Sequence, residues 1–571
     1  MKKNLFYALP LAFLMHACGD SGVLLKGTDI NPYSYQMEKN KTGKNGAVVS
    51  AHPLASEVGV AILKQGGNAV DAAIATQFAL AVVYPGAGNI GGGGFLVARL
   101  ADGTNVAIDF REAAPAAAHR DMYLDPDGTP RTDKSQKGHL ASGIPGTVAG
   151  AFKAHKYAKL PMKDLIAPAV QLAERGFVLT ASEARNFNSA KEEFLKYSSQ
   201  SPAFVKDAEW KEGDTLLQPD LANTLKRIQE NGMKGFYEGE TAALIVEEMK
   251  HGGGIITLED LKNYDAKERP IVQFSYKGHD ILTMSLPSSG GVLLPQMLNM
   301  IEDRNIQNYA FLSPRAVQLM VEVERRAYAD RAEFLGDPDH YKVPVEVLTS
   351  KSYAAERMKD YDSTKATPSS VTKPGTIPQS EETTHLSVYD KEGNAVAVTT
   401  TLNGHYGSRT IVAGAGFLMN NEMDDFSIKP GVPNMFGAVG GDANAIVPGK
   451  RMLSSMTPTI VLNEGKPYLV IGTPGGTTIT TSVFQTIVDI IDFKMSVADA
   501  VNKPKFHHQW LPDEVQVEKD FPDSTRQALE AMGYKITQRR AIGRTEVIKI
   551  LPDGSFEAVA DKRGDDHAAA Y

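Results

Sequence analysis

Thr383-Thr384-His385 stands where a long polar stretch meets a strand-like alternation, and it is the place in the chain best suited to nucleophilic chemistry. A threonine hydroxyl is a poor nucleophile and needs a base. A free α-amino group, with a pKa of about 7.7–8.0, can serve as that base near neutral pH. If the Glu382–Thr383 bond is cut, Thr383 carries nucleophile and base on one residue. Residues 361–382 (YDSTKATPSSVTKPGTIPQSEE) have almost nothing to bury and read as an exposed, flexible linker that can leave the site after cleavage. Taken alone, a threonine-rich strand start explains the same residues.

The elements that would position Thr383 are legible around it. His385–Tyr389 and Ala395–Thr401 alternate as strands about a Gly393-Asn394 turn, so a hairpin can set Thr383 beside Thr401. Upstream, 48–50 reads as a short strand, Ser56 as the N-cap of a helix over 57–65, and Asn68 as the cap of an all-round apolar, buried helix over Ala69–Val83. Two strands flank Asp102-Gly103, and a long helix is expected over 314–335. Further strands are expected near 410–419, 458–463 and 468–472, with helices near 477–491 and 496–502. No period of 20–50 residues is present, so the chain is not a repeat array.

Other motifs are weaker. Gly86-Ala-Gly88-Asn-Ile-Gly91 matches GxGxxG, but a helix precedes it and a strand follows, the reverse of a dinucleotide fingerprint, so it reads as a close-packed loop. Ser370-Val-Thr-Lys373 and Lys41-Thr42-Gly43 match SxxK and KTG in the wrong chain order. Neither GxSxG nor HExxH occurs. Adjacent His507 and His508 cannot share a helix face, and they read as structural or supporting residues rather than as metal ligands.

A longer set of segments resembles the gamma-glutamyltransferase (gamma-glutamyltranspeptidase) family of N-terminal nucleophile hydrolases. They are TTHLSVYDKEGNAVAVTTTLN from Thr383, NNEMDDFSIKPGVPN from Asn420, GGDANA from Gly440, LSSMTPT from Leu453, GTPGG from Gly472 and FHHQWLPDE from Phe506. Upstream, GGNAVDAA, GNIGGGGF, IDFREAAP, IPGTVAG and LPSSGG match as well, so the likeness runs through nearly all of 47–571 in order.

The resemblance implies an α+β fold, a four-layer αββα sandwich with two antiparallel sheets face to face. It implies self-cleavage before Thr383 into subunits of roughly 19–382 and 383–571 that stay together as a heterodimer, with no cofactor and no metal. Thr383 matches the nucleophile and Thr401 the threonine that supports it. Gly475 and Gly476 match the oxyanion donors, where the lack of a side chain permits close approach. Arg111, Ser454 and Ser455 match the groups that hold the donor's α-carboxylate, and Asn403, Glu422 and Asp425 those that hold its α-ammonium. Glu422 stands where many members carry Gln, and neighbouring Asp424 reads as structural. Residues 430–441 match a lid, with Phe436 where bacterial relatives often place Tyr. The expected reaction is transfer of the gamma-glutamyl group of glutathione, or of related amides, to water, amino acids or peptides. A glutaryl-cephalosporin acylase would leave Asn403, Glu422 and Asp425 without a purpose. A poly-gamma-glutamate processing enzyme would often lack the lid. A non-catalytic periplasmic binding protein would not need Thr383, Thr401 and both glycines.

Composition agrees with a large globular protein. The 571 residues include 42% apolar and 22% charged residues, and 60 Lys and Arg stand against 68 Asp and Glu for a net charge of −8, which argues against a nucleic-acid binder. The single cysteine excludes an intramolecular disulfide. Residues 1–18 combine Lys2 and Lys3 with an apolar run too short to span a bilayer, and read as an export signal. Cys18 follows a degenerate lipobox and is a lipidation candidate, with a plain secretory signal as the alternative. Either implies a periplasmic or extracellular protein. Residues 19–46 are expected to be loose.

Overall fold

The central strands are buried along nearly their whole length, with alternate residues facing two different apolar layers, and this determines the architecture. The computed structural model describes residues 24–372, 383–435 and 440–571; Cys18, Glu382 and Phe436 lie outside them. Two seven-stranded antiparallel sheets dominate. The first runs His567–Ala570, Gly46–Ser50, Thr384–Asp390, Ala395–Thr401, Gly93–Arg99, Asn105–Asp109, Lys267–Glu268. The second runs Asn40–Gly43, Phe556–Val559, Glu546–Ile550, Lys466–Gly472, Thr459–Asn463, His279–Thr283, Val272–Tyr276.

Three apolar layers hold these sheets. Leu386, Val388, Val396 and Val398 point outward from the first sheet onto the helices Pro53–Lys64 and Ala69–Val83. Alternate residues of the same strands, with Ala47, Val49, Ala395 and Ala397, meet Ile460, Val470 and Ile548 of the second sheet. The outer face of the second sheet packs through Val461, Leu469 and Ile471 on the helices Gly290–Ile301, Pro314–Phe334 and Thr478–Ile491. The order of layers is therefore helix, sheet, sheet, helix, an αββα sandwich.

Several local expectations are met. Asn68 accepts from the N–H groups of Val70 and Asp71, and Asp71 closes a capping box on the helix Ala69–Val83. The long helix spans Pro314–Phe334. The GxGxxG segment links the helix Ala69–Val83 to the strand Gly93–Arg99 as a packed loop.

Others are corrected. The first helix begins at Pro53, with His52 as its cap, because Ser56 Oγ is engaged instead with Ser50 Oγ and the His567 carbonyl. Residues 24–46 are not loose: Leu25 and Ile30 are buried and Asn40–Gly43 pairs with Phe556–Val559. No strand forms over 410–419, where a single bridge joins Ile411 and Leu418. The first half of the expected flexible linker is packed down. Ser369 and Thr372 are buried, Trp510 Nε1 donates to the carbonyls of both, and Asp513 accepts from the Ser369 N–H.

Candidate active site

Strand alternation places Thr383. Leu386 and Val388 face the helices, so His385 and Ser387 face the second sheet, where Ser387 Oγ donates to the Glu546 carbonyl at 3.1 Å. Burial pushes the His385 imidazole down to about 3, so it is neutral, and its Nδ1 lies 2.8 Å from Thr399 Oγ1. It is a structural polar contact within the first sheet rather than a base. Thr383 continues the inward-facing series at the strand's end. Thr384 pairs with Thr400, so the next pair outward is Thr383 with Thr401. Thr401 Oγ1 accepts from the Asn403 N–H at 2.8 Å, and both threonines border one cleft.

That cleft is also lined by Arg111, Arg331, Asn403, Asp425, Ser454, Ser455 and Gly476. Gly475 lies just outside it, on the other side of Thr383. The turn Gly475-Gly476 immediately precedes the helix Thr478–Ile491. Gly475 has φ +137°, and a Cβ there would come within 2.3 Å of Thr478 Oγ1, so only glycine fits. Among the described residues neither glycine's N–H donates to another group, which leaves two backbone donors beside the nucleophile. The turn is braced from behind: Thr477 Oγ1 donates to Gln509 Oε1 at 2.6 Å, and His507 Nε2 lies 2.8 Å from the same oxygen. Burial holds His507 neutral at about 3. His508 is equally buried, and its Nδ1 accepts from the Trp510 N–H.

The charged residues divide into two poles. Arg111 is completely buried. It donates to Asp425 at 2.5 Å, contacts the Glu422 carboxylate, and lies 3.4 Å from Glu112. Burial opposes its charge, but the three carboxylates outweigh that and hold its pKa above the ordinary value. Burial in turn raises the pKa of Glu422 and Asp425 against the pull of Arg111, and pushes Glu112 up to about 8. Glu422 does not reach the cleft; it lies behind Arg111. Asp425 does reach it. Asn403 donates through Nδ2 to the Asn421 carbonyl, and its Oδ1 has no partner among the described residues. The Asp425–Asn403 side therefore offers oxygen acceptors to an ammonium group.

The other pole holds Ser454, Ser455 and Arg331. Ser454 Oγ accepts from Met456 N, and Ser455 Oγ accepts from Arg331 Nη2 at 3.2 Å; neither hydroxyl donates to a described group. Arg331 was missed by the sequence reading. It is 5% exposed, also donates to Ser289 Oγ, and has no carboxylate partner among the described residues. Its signal was the helix Pro314–Phe334, which is buried despite Glu322, Glu324, Arg325, Arg326, Asp330 and Arg331 along it.

The lid segment is anchored at both described ends. Asn434 Nδ2 donates to Asp425 Oδ1 at 2.9 Å, the Met435 N–H donates to Asp424 at 2.5 Å, and Gly441 N donates to the Ala332 carbonyl. Asp424 also accepts from Ser135 Oγ, in keeping with a structural role.

An αββα sandwich that presents a threonine at the inner end of a central strand defines the class of N-terminal nucleophile hydrolases. The chain belongs to the gamma-glutamyltranspeptidase family, whose profile matches residues 55–571. It is 49% identical over 550 residues to a glutathione hydrolase proenzyme of Escherichia coli K12, covering 95% of each chain. It is 44% identical over 527 residues to one from Pseudomonas aeruginosa, covering 91% of this chain and 93% of that one. Among solved structures, a cephalosporin acylase from Bacillus halodurans superposes with a TM-score of 0.82 at 26% identity, covering 96% and 99% of the two chains. The Helicobacter pylori gamma-glutamyltranspeptidase superposes with a TM-score of 0.57 at 46% identity, over 60% of this chain and 97% of that one.

Proposed function

We propose that the chain is a gamma-glutamyltransferase and glutathione hydrolase that matures by severing the Glu382–Thr383 bond. Thr383 Oγ then attacks the γ-carbonyl carbon of the donor, and the new α-amino group of Thr383 takes the hydroxyl proton. The backbone N–H groups of Gly475 and Gly476 receive the developing oxyanion. The C–N bond breaks, the proton passes to the leaving amine, and a γ-glutamyl ester remains on Thr383. Water, or the amine of an amino acid or peptide, attacks that ester and restores the hydroxyl.

The observation that carries this reading is the pairing of opposite poles beside Thr383. Asp425 and Asn403 Oδ1 suit an α-ammonium, while Ser454, Ser455 and Arg331 suit an α-carboxylate. Arg111 joins the two poles, and Glu422 acts on the site through Arg111. A glutaryl donor would leave Asp425 and Asn403 unused, which disfavours the cephalosporin acylase reading. The anchored lid ends weigh against a poly-gamma-glutamate enzyme. We read residues 1–18 as an export signal, with Cys18 either lipidated or incidental. No helix among the described residues is long and apolar enough to cross a membrane.

Mass spectrometry of purified wild type and Thr383→Ala tests the proposal. The wild type should give two chains, the smaller beginning at Thr383, and release glutamate from glutathione. Thr383→Ala should give one uncut chain with activity lower by about 10³-fold or more. Two chains from the alanine variant would place the nucleophile elsewhere.

A further inference from the structure

The motif GGDANA, from Gly440, contains an asparagine to which the sequence reading assigns no task. Asn444 is only 5% exposed. Its Nδ2 donates to the Asp425 carbonyl at 2.7 Å, and its Oδ1 accepts from the Leu453 N–H at 3.0 Å. Asp425 belongs to the ammonium pole of the donor cleft, and Leu453 immediately precedes Ser454 of the carboxylate pole. One buried side chain thus ties the two poles together. The amide can sit only one way round, because its NH2 must meet a carbonyl and its oxygen an N–H. The backbone that carries it is fixed as well. The Asn444 carbonyl accepts from the Ser427 N–H at 2.9 Å, and Lys450 Nζ donates to the carbonyls of Ala443 and Ala445 on either side, at 2.8 and 3.0 Å.

Arg111 also spans the poles, but unevenly. It grips Asp425 closely, whereas its Nε reaches the Met452 carbonyl only at 3.3 Å and its Nη2 the Leu453 carbonyl only at 3.4 Å. The same guanidinium is drawn toward Glu422 and Glu112. On the Leu453 side Asn444 therefore makes the closer contact. This matters for a donor whose ammonium and carboxylate sit on one carbon. A pocket meets both groups at once only if its acceptors and its donors are held at a matching separation. A ligand with a single charged group can follow a pole that shifts; a ligand with two groups on one carbon cannot.

We propose that Asn444 is a positioning residue that sets the separation of the two poles, and so selects donors bearing an ammonium and a carboxylate on the same carbon. It does not line the cleft, and acts through the backbone of Asp425 and Leu453. The proposal rests on the acyl-transfer reading above.

The test uses the processed enzyme and two compounds, L-γ-glutamyl-p-nitroanilide and glutaryl-p-nitroanilide. The second lacks the α-ammonium and is scored as a substrate or as a competitive inhibitor of the first. Asn444→Ala removes both hydrogen bonds. Asn444→Asp keeps the shape and the acceptor, but as a carboxylate it cannot donate to the Asp425 carbonyl. Each variant should raise KM for the γ-glutamyl compound by about tenfold, with kcat within about threefold of wild type. The KM or inhibition constant of the glutaryl compound should stay within about twofold. Mass spectrometry should still show two chains. An unchanged γ-glutamyl KM in both variants, or equal losses on the two compounds, overturns the proposal. Loss of folded protein in both variants overturns it too, since Asn444 would then serve the fold as a whole. Absence of turnover of the γ-glutamyl compound by the wild type would instead overturn the acyl-transfer reading.

Discussion

Arg331 Nη2 donates to Ser455 Oγ over 3.2 Å, so that hydroxyl, already accepting, is left with its proton to give. Removal from water lowers the pKa of this guanidinium, with Tyr328 and Asp425 opposing the shift, and no carboxylate pairs with it among the described residues. A buried cation in that state is costly unless a counter-ion arrives, and a donor's α-carboxylate would be one. Arg331→Gln should therefore raise the donor KM by about tenfold or more, with a smaller effect on kcat. Arg331→Lys should recover part of the loss. A donor lacking the α-carboxylate should be insensitive to both changes. Equal losses on both donors, measured by steady-state kinetics, would reduce Arg331 to a structural role.

Gly475→Ala tests the oxyanion turn. The added methyl meets Thr478 Oγ1 at 2.3 Å on a backbone with φ +137°, so the turn must shift to accommodate it. Misplacing one oxyanion donor costs about 10²–10³-fold in kcat. The expected pattern is that loss in kcat with KM little changed, because the donor poles stand on other segments. An unaltered kcat would remove Gly475 from the reaction.

The buried carboxyl of Asp424 supplies a pH test. Burial pushes its folded-state pKa up to about 7, against about 3.9 for an unfolded chain. Between those values the unfolded state has released the proton while the folded state keeps it, so stability falls as pH rises through that window. Asn fits the site. Its oxygen can accept from the Met435 N–H and its amide can donate to Ser135 Oγ, whose own proton can turn to the Thr132 carbonyl at 3.0 Å. The melting temperature of Asp424→Asn minus that of wild type should be more positive at pH 8 than at pH 5, by about 1–3 °C. A difference that does not vary with pH would mean that Asp424 ionises normally.

Much of this was readable from the chain. Asn68 announces the cap of the helix Ala69–Val83, and the alternation on either side of Gly393-Asn394 announces the hairpin that aligns Thr383 with Thr401. What escaped was set by distant partners. Ser56 looks like a cap, but His52 has that role because Pro53 can open a helix and Ser56 is needed by His567. Residues 361–372 are polar in composition, yet they are satisfied by Trp510, Gln318 and Arg325, which local pattern does not reveal. Arg331 looks like one more solvated charge on a helix until tertiary packing covers every side of that helix. Arg111 was legible as a donor-pocket residue, but its contacts with three carboxylates and its full burial were not.

Both sheets draw strands from before and from after Thr383. Gly46–Ser50 is flanked by His567–Ala570 and Thr384–Asp390, and Asn40–Gly43 is edged onto Phe556–Val559. A scission ahead of Thr383 would thus liberate nothing, because each product keeps strands paired to the other's and neither has a complete hydrophobic interior of its own. The two products of the proposed maturation would part only if the strand ladders of both sheets came undone.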